Sequence, residues 1–327
     1  MSVSFPESLR SVLAGRTLET DQARRALGFI LGGGATPAQA GALCGAIIMR
    51  GVSVEELIGF GQAVREKSVK APVKRSPLFE VCGTAAPGSF HVSTIVAFIA
   101  AGAGVGVALQ VGRGAADALE NLGVDLSSQK AGPCLEETGI GFFLFEAFHP
   151  ALKGAAAFRQ ELGGCTPLDL LEPLANPAGA QRQLVGVCAT AMGPVLCRTL
   201  QALGSESAML VSSRDGRDEL SLGVPSAVAH LRDGRIEQYE LDAESLGLKR
   251  SAAVDLSKGK PEANAKILLG VLKGERGPVF DSALLNAAAA LVVAGKAADF
   301  KAGLAQAEES VDSCRAIGVL EAVKKLA

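Results

Sequence analysis

Tryptophan is absent from this 327-residue chain and tyrosine occurs once, at Tyr239. Large aromatic anchors therefore do not organise the core. With 48% hydrophobic residues and abundant Ala, Gly and Leu, the chain is expected to pack through close contacts between small side chains. Histidine is scarce, with three in all. Neither it nor the scattered cysteines show zinc spacing, and no Ser/His/Asp or Cys/His nucleophile can be assembled. The seven cysteines, Cys44, Cys82, Cys134, Cys165, Cys188, Cys197 and Cys314, are odd in number and include no C-x-x-C pair. That pattern predicts reduced, mostly buried thiols in a cytoplasmic protein. A net charge of −2 with no basic stripe argues against nucleic acid or an acidic membrane as partner. The short basic stretch Lys67, Lys70, Lys74 and Arg75 around Pro72 reads as a hinge or linker, with a ligand patch as the alternative. No basic start precedes an apolar run at the N-terminus, so no signal peptide is expected. The longest apolar stretch, Leu284–Ala294, contains Asn286 and is too short to span a bilayer.

What is present changes character along the chain. Residues 1–70 read as helix. Thr36-Pro37-Ala38-Gln39 and Ser53-Val54-Glu55-Glu56 are capping boxes that start helices over Pro37–Met49 and from Val54. Asp21–Leu31 places Ala23, Leu27, Ile30 and Leu31 on one face. From Ser76 short apolar runs alternate with Ala-rich helices. Pro77–Cys82, Val105–Leu109, Phe142–Phe145, Leu184–Cys188 and Ala208–Val211 are strand candidates for a parallel or mixed sheet covered by helices. Ser226–Leu231 and Arg235–Leu241, split by Asp233-Gly234, read as an edge hairpin. Gly154–Gly164 reads as helix. The proline-rich stretch Thr166–Pro177 is expected to cross back to the helical unit and frame a cleft. His149-Pro150 reads as a strand stop and helix start.

The segment Ser76–Gly123 looks like a phosphate-binding unit. A strand enters the turn Gly83-Thr84-Ala85-Ala86-Pro87-Gly88, and a helix opens at Ser93-Thr94. Strand, tight turn and helix point free N–H groups at an anion. Ser93 and Thr94 are candidate phosphate contacts, with helix capping as the alternative. Arg113 is a candidate for a phosphate or carboxylate; its alternative partner is Asp117. Arg159 is a candidate carboxylate clamp, against a solvated helix face. His91, near a helix start, favours its neutral form. Asp218-Glu219, just after the Ala208–Val211 strand, is a candidate Mg²⁺ pair; the alternative is a charged surface turn.

These pieces in this order resemble the anthranilate phosphoribosyltransferase family and its relatives, the pyrimidine nucleoside phosphorylases. The likeness rests on Thr36-Pro37-Ala38-Gln39, Gly83-Thr84, Ser93-Thr94, Ala116–Glu120, Pro173–Pro177, Asp218–Ser221, Gly277-Pro278 and Leu285–Ala288. It implies an α/β protein with a small N-terminal helical domain, residues 1–70 with a returning segment near 165–185. A larger α/β domain, residues 75–327, would hold a mixed sheet covered by helices. It also implies a homodimer through the helices and phosphoribosyl transfer from phosphoribosyl pyrophosphate to anthranilate. Gly83, Thr84, Ser93, Thr94 and Arg113 then fall on the phosphate site, Asp218 and Glu219 on Mg²⁺, and Arg159 near the acceptor.

The donor site departs from the family pattern. Gly-Gly-Asp becomes Ala85-Ala86-Pro87, an Asn becomes His91, and Lys-His-Gly-Asn-Arg becomes Leu109-Gln110-Val111-Gly112-Arg113. The Ser/Lys-rich segment that follows in the family is missing. Toward the acceptor, Cys165 replaces an arginine, Asp169 an asparagine and Glu172 a glycine. The expectation is lost or strongly altered standard activity. A transferase or phosphorylase with a different donor or acceptor, and a non-catalytic ligand-binding dimer, are the alternatives.

Overall fold

The first four helices are started by side chains. The computed structural model describes residues 4–84, 92–154, 161–162, 166–187, 189–251 and 260–326. Helices α1 (Phe5–Leu13), α2 (Thr20–Leu31), α3 (Pro37–Arg50) and α4 (Val54–Lys67) form the N-terminal unit. Both expected capping boxes are made: Thr36 exchanges bonds with Gln39, and Ser53 with Glu56. Glu56 is fully buried, and one carboxylate oxygen also accepts from the Leu18 N–H at 3.0 Å. The other oxygen takes the Ser53 N–H and the guanidinium of Arg50. With both oxygens used and a cation at hand, its burial is tolerated. Helices α2 and α4 meet at Gly59. A Cβ there would lie 2.3 Å from the Thr20 carbonyl oxygen and 2.8 Å from the Ala23 Cβ.

Seven strands follow: β1 (Phe79–Gly83), β2 (Val107–Val111), β3 (Ile140–Leu144), β4 (Arg182–Gly186), β5 (Ser207–Ser213), β6 (Ser226–Arg232) and β7 (Arg235–Leu241). The order is β3-β2-β1-β4-β5-β6-β7. The first five strands are parallel, and β6 and β7 close the edge as an antiparallel hairpin. Its turn uses positive φ at both Asp233 and Gly234, the geometry that matches strand twist. Each strand candidate corresponds to a strand, displaced by one or two residues.

Covering helices are α5 (Val92–Gly102), α6 (Arg113–Asn121), α7 (Ser128–Thr138), a single turn α8 (Phe145–Phe148), α9 (Met192–Ala202), α10 (Pro261–Leu272), α11 (Pro278–Val293), α12 (Phe300–Asp312) and α13 (Arg315–Lys325). Side chains alternate across the sheet. Val81, Leu184, Met209 and Val211 face α5 and α11 in one apolar cluster. Cys82, Val185, Ala208 and Leu210 face the other way, in one cluster with Leu27, Leu43, Leu57 and Phe60 of the N-terminal helices. The short 3-10 turns Pro167–Leu170 and Glu172–Leu174 place Leu168, Leu171 and Leu174 in that same cluster. Arg65 ties the join by donating to the carbonyls of Leu174 and Leu203.

Helix α11 is buried along nearly its whole length. Cys44, Cys82, Cys134 and Cys197 are buried free thiols, but Cys314 is exposed. Cys165, Cys188 and most of the helix expected over 154–164 lie outside the described residues. No helix among the described residues is long and apolar enough to cross a membrane. The close approach at Gly59 predicts that Gly59→Ala loses about 1–3 kcal/mol by overpacking. Urea unfolding measures this, and an unchanged midpoint would contradict the contact.

Candidate functional site

From β1 the strand order runs one way to β2 and β3; from β4 it runs the other way to β5. Such a reversal in a parallel sheet leaves a crevice at the carboxyl ends of the two central strands. Here those ends are glycines. Gly83 and Gly186 are register partners and each is the last residue of its strand. The segment carrying Asp218 presses onto this pair. A Cβ on Gly83 would stand 2.3 Å from Asp218 Oδ2, and one on Gly186 would stand 1.7 Å from the Asp218 carbonyl oxygen. No side chain larger than hydrogen fits at either position without moving Asp218.

The segment is held from behind. Asn286 of α11 clamps Leu220, its Oδ1 accepting from the Leu220 N–H at 3.0 Å and its Nδ2 donating to the Leu220 carbonyl at 3.1 Å. The Ser221 N–H donates to Ser226 Oγ at 3.0 Å, and the Ser213 N–H to the Arg217 carbonyl at 3.0 Å. Glu219, only 14% exposed, pairs with Arg217 at 3.1 Å. Burial pushes its carboxyl up to about 7, the Arg217 bond opposes this, and Asp218 and Asp215 add to it. Among the described residues no cluster of three or more His, Cys, Asp or Glu is placed to hold a metal. The pair Asp218-Glu219 remains the candidate. Two hard carboxylates suit Mg²⁺ only when phosphate and water complete its shell.

The other expected site residues are unevenly placed. Thr84 is buried and its N–H continues the β1–β4 ladder to the Gly186 carbonyl at 2.9 Å. Ser93 and buried Thr94 lie in the first turn of α5, just beyond the end of β1. Arg113 is the first residue of α6, exposed, with no ion pair to Asp117 or any other described residue. Arg159, His91 and the turn Ala85–Gly88 lie outside the described residues.

A buried polar network beneath the crevice was not anticipated. Glu80, in the middle of the sheet, has no exposed surface. Its Oε1 accepts from Gln110 Nε2 and Asn176 Nδ2, both at 2.7 Å, and its Oε2 accepts from Gln183 Nε2 at 3.1 Å. Each amide is oriented by a second bond: Gln110 to the Glu172 carbonyl, Asn176 to the Ala108 carbonyl and Gln183 to the Pro173 carbonyl. The Gln110 Oε1 therefore faces His149 Nε2, 2.7 Å away, so the ring proton sits on Nε2. The Ser68 hydroxyl lies 2.7 Å from both Nδ1 and the Val64 carbonyl, so its one proton is shared between two acceptors. Burial, with Lys70 adding, takes His149 down to about 4 and keeps it neutral. His149 precedes the turn Pro150–Leu152 as expected, but it is also a core hydrogen-bond partner. The sequence signal for the network was an acidic residue inside the apolar strand Phe79-Glu80-Val81.

Burial raises the Glu80 carboxyl to about 7 against the pull of the three amides and Arg65. A carboxyl titrating higher in the folded than in the unfolded chain binds protons preferentially when folded. The associated stability is present below about 4.5 and is lost as pH rises to about 7. Its ceiling is about 3 kcal/mol. Glu219 acts with the same sign. Thermal unfolding of Glu80→Gln between pH 4.5 and 8 should show a clearly shallower decline than the parent, because the amide does not titrate while its oxygen keeps the bonds from Gln110 and Asn176. Equal slopes would refute the assignment.

The fold and crevice can be set beside known proteins. The family model "Glycosyl transferase family, helical bundle domain" matches residues 6–68, and "Glycosyl transferase family, a/b domain" matches residues 75–317. The anthranilate phosphoribosyltransferase of Rubrobacter xylanophilus is 42% identical over 328 residues, covering 96% of this chain and 95% of that one. That of Thermomicrobium roseum is 43% identical over 332 residues, covering 97% and 95%. The crystal structure of the Thermus thermophilus anthranilate phosphoribosyltransferase superposes with a TM-score of 0.90 at 35% identity, covering 98% of each chain. The Saccharomyces cerevisiae protein, solved in complex with PRPP and Mg, shares the fold at 23% identity, with a TM-score of 0.88 and coverage of 99% and 98%. With both domains matched in order and relatives above 40% identity along nearly the whole length, the chain belongs to the anthranilate phosphoribosyltransferase family.

Proposed function

We propose that this protein binds a phosphorylated ribose donor over the Gly83–Gly186 crevice, and that transfer to anthranilate is lost or strongly altered. The observation that carries this reading is the charge balance of the described crevice. Asp215, Asp218 and Glu219 stand against Arg217 and Arg113, and Arg217 is already committed to Glu219. In the family reaction the bond from ribose to pyrophosphate breaks as the bond to the amine forms, and negative charge collects on the leaving group. Fixed positive charge and N–H donors stabilise that state. At the position of the family's Lys-His, this chain has Leu109 and Gln110, both buried in β2. Gln110 spends its amide on Glu80, Glu172 and His149.

What remains for phosphate is one cation, Arg113, together with attraction without side-chain charge from Gly83 and Thr84 at the strand end and from Ser93 and Thr94 in the first turn of α5. Asp218 and Glu219 are the residues that would hold Mg²⁺, the ion present in the yeast relative's complex. When bound, Mg²⁺ supplies positive charge to phosphate oxygens. Glu219 must give up Arg217 and its proton to serve, so metal affinity should rise as pH climbs past about 7. Arg159 is the residue we assign to the acceptor by resemblance.

A second reading, an ordinary working transferase, is favoured by Asp218 seated in its glycine notch and by the identity to curated transferases. Assay with phosphoribosyl pyrophosphate, Mg²⁺ and anthranilate separates the two. Loss of one well-placed donor lowers turnover by about 10²–10³, so turnover at least ~100-fold below that of the Thermus thermophilus protein is expected. Comparable turnover establishes the second reading. In calorimetry, Asp218→Asn should abolish the Mg²⁺-dependent part of phosphate binding; no change would reduce the acidic pair to a surface turn.

We also propose a homodimer through the N-terminal helices. Leu13, Ile48 and Met49 are 60%, 43% and 87% exposed there, and Gly28, Gly41 and Gly45 face open space. Light scattering should give twice the chain mass at micromolar concentration and a monomer for Met49→Glu. A monomeric parent protein would overturn the proposal.

A further inference from the structure

At the opposite end of the sheet, where β4 and β5 begin, lies a cavity of about 360 Å³. Its walls come from four parts of the chain. Arg65 lies in the last turn of α4, the linker supplies Lys70 and Pro72, and the returning segment supplies Pro173, residues 176–181 and Gln183. The turn Leu203–Ser205 after α9 completes it. Among the described residues, two cations line this cavity and no carboxylate does.

Neither cation is neutralised by a described partner. Arg65 donates Nε and Nη1 to backbone carbonyls, which orient it without cancelling its charge, and its Nη2 makes no bond among the described residues. Lys70 makes no hydrogen bond or ion pair with any described residue. Burial lowers the pKa of both groups, and Lys70 is lowered further by Arg65, as two like charges held near each other require. The acid that Arg65 senses, Glu80, is shielded behind the amides of Asn176 and Gln183 and is itself biased toward its neutral form by burial. Pro72, Val73, Pro173, Pro177 and Leu203 give the cavity apolar surface, and Asn176, Gln181, Gln183 and Ser205 give it uncharged polar groups. The volume is within the range of small-molecule pockets, and the mixed lining suits a ligand with a charged head and a compact apolar body.

We propose that this cavity is a second ligand site, separate from the crevice, which takes a small organic anion with its acidic head between Arg65 and Lys70 and its apolar body against the prolines. The occupant contacts the end of α4, the linker and the start of β4 together. Binding therefore ties the helical unit to the sheet.

Phenylphosphonate is a suitable probe, with inorganic phosphate as the head-group control. Titration followed by calorimetry and by amide NMR on the full chain should show saturable binding, with shifts at Gly179, Gly204 and Ser205. Lys70 is exposed and makes no bond to a described residue, so Lys70→Glu should fold normally and weaken binding at least tenfold. Asp218→Asn should leave it unchanged. Equal affinity in Lys70→Glu, shifts confined to Gly83 and Thr84, or no binding at millimolar probe would each overturn the site. Inorganic phosphate binding as tightly as phenylphosphonate would overturn the organic part of the assignment.

Discussion

Contact between the Asp218 segment and the paired glycines Gly83 and Gly186 fixes the rest of the site. Parallel strands end in register here because both carry hydrogen where a side chain would be, and the segment descends until its backbone touches them. Everything behind it holds that depth: the Asn286 clamp on Leu220, the serine bonds at 213, 221 and 226, and the buried α11 that carries Asn286. The position of Asp218 is thus a packing result before it is an electrostatic one. Its carboxylate is delivered to the crevice by backbone that cannot go lower.

Much of this was legible in the sequence, for different reasons in different places. Capping boxes at Thr36 and Ser53 are local, so their helices could be read directly. Strands were found because apolar runs bounded by glycine leave few alternatives; their ends shifted because apolar residues continue past the last ladder bond, as at Pro77 and Leu78. Asp218 could be expected at the strand end because it follows β5 closely. Gly186 was missed because nothing local marks it; its need for hydrogen arises only when a segment thirty residues later lies across it. The Glu80 network was missed for the same reason. Its four members come from β1, β2, β4 and a loop, and only one of them, an acid in an apolar strand, looks odd alone.

The two units are less separate than their composition suggests. The N-terminal helices share one apolar cluster with a face of the sheet, through Leu168, Leu171 and Leu174 of the returning segment. Arg65 crosses the same boundary to two carbonyls. Relative motion of the units must therefore be accommodated around a continuous core.

The amides around Glu80 carry a consequence for how this chain can change over time. Gln110, Asn176 and Gln183 each turn an N–H toward one carboxylate and spend their remaining capacity on fixed backbone or on His149 and Ser205. Replacing any one of them strands a lone pair or a donor on its buried neighbours. A cation at 110 would lose the bonds to Glu80 and His149 together, so the side chain that β2 can present there is constrained by partners on β1 and beyond β3.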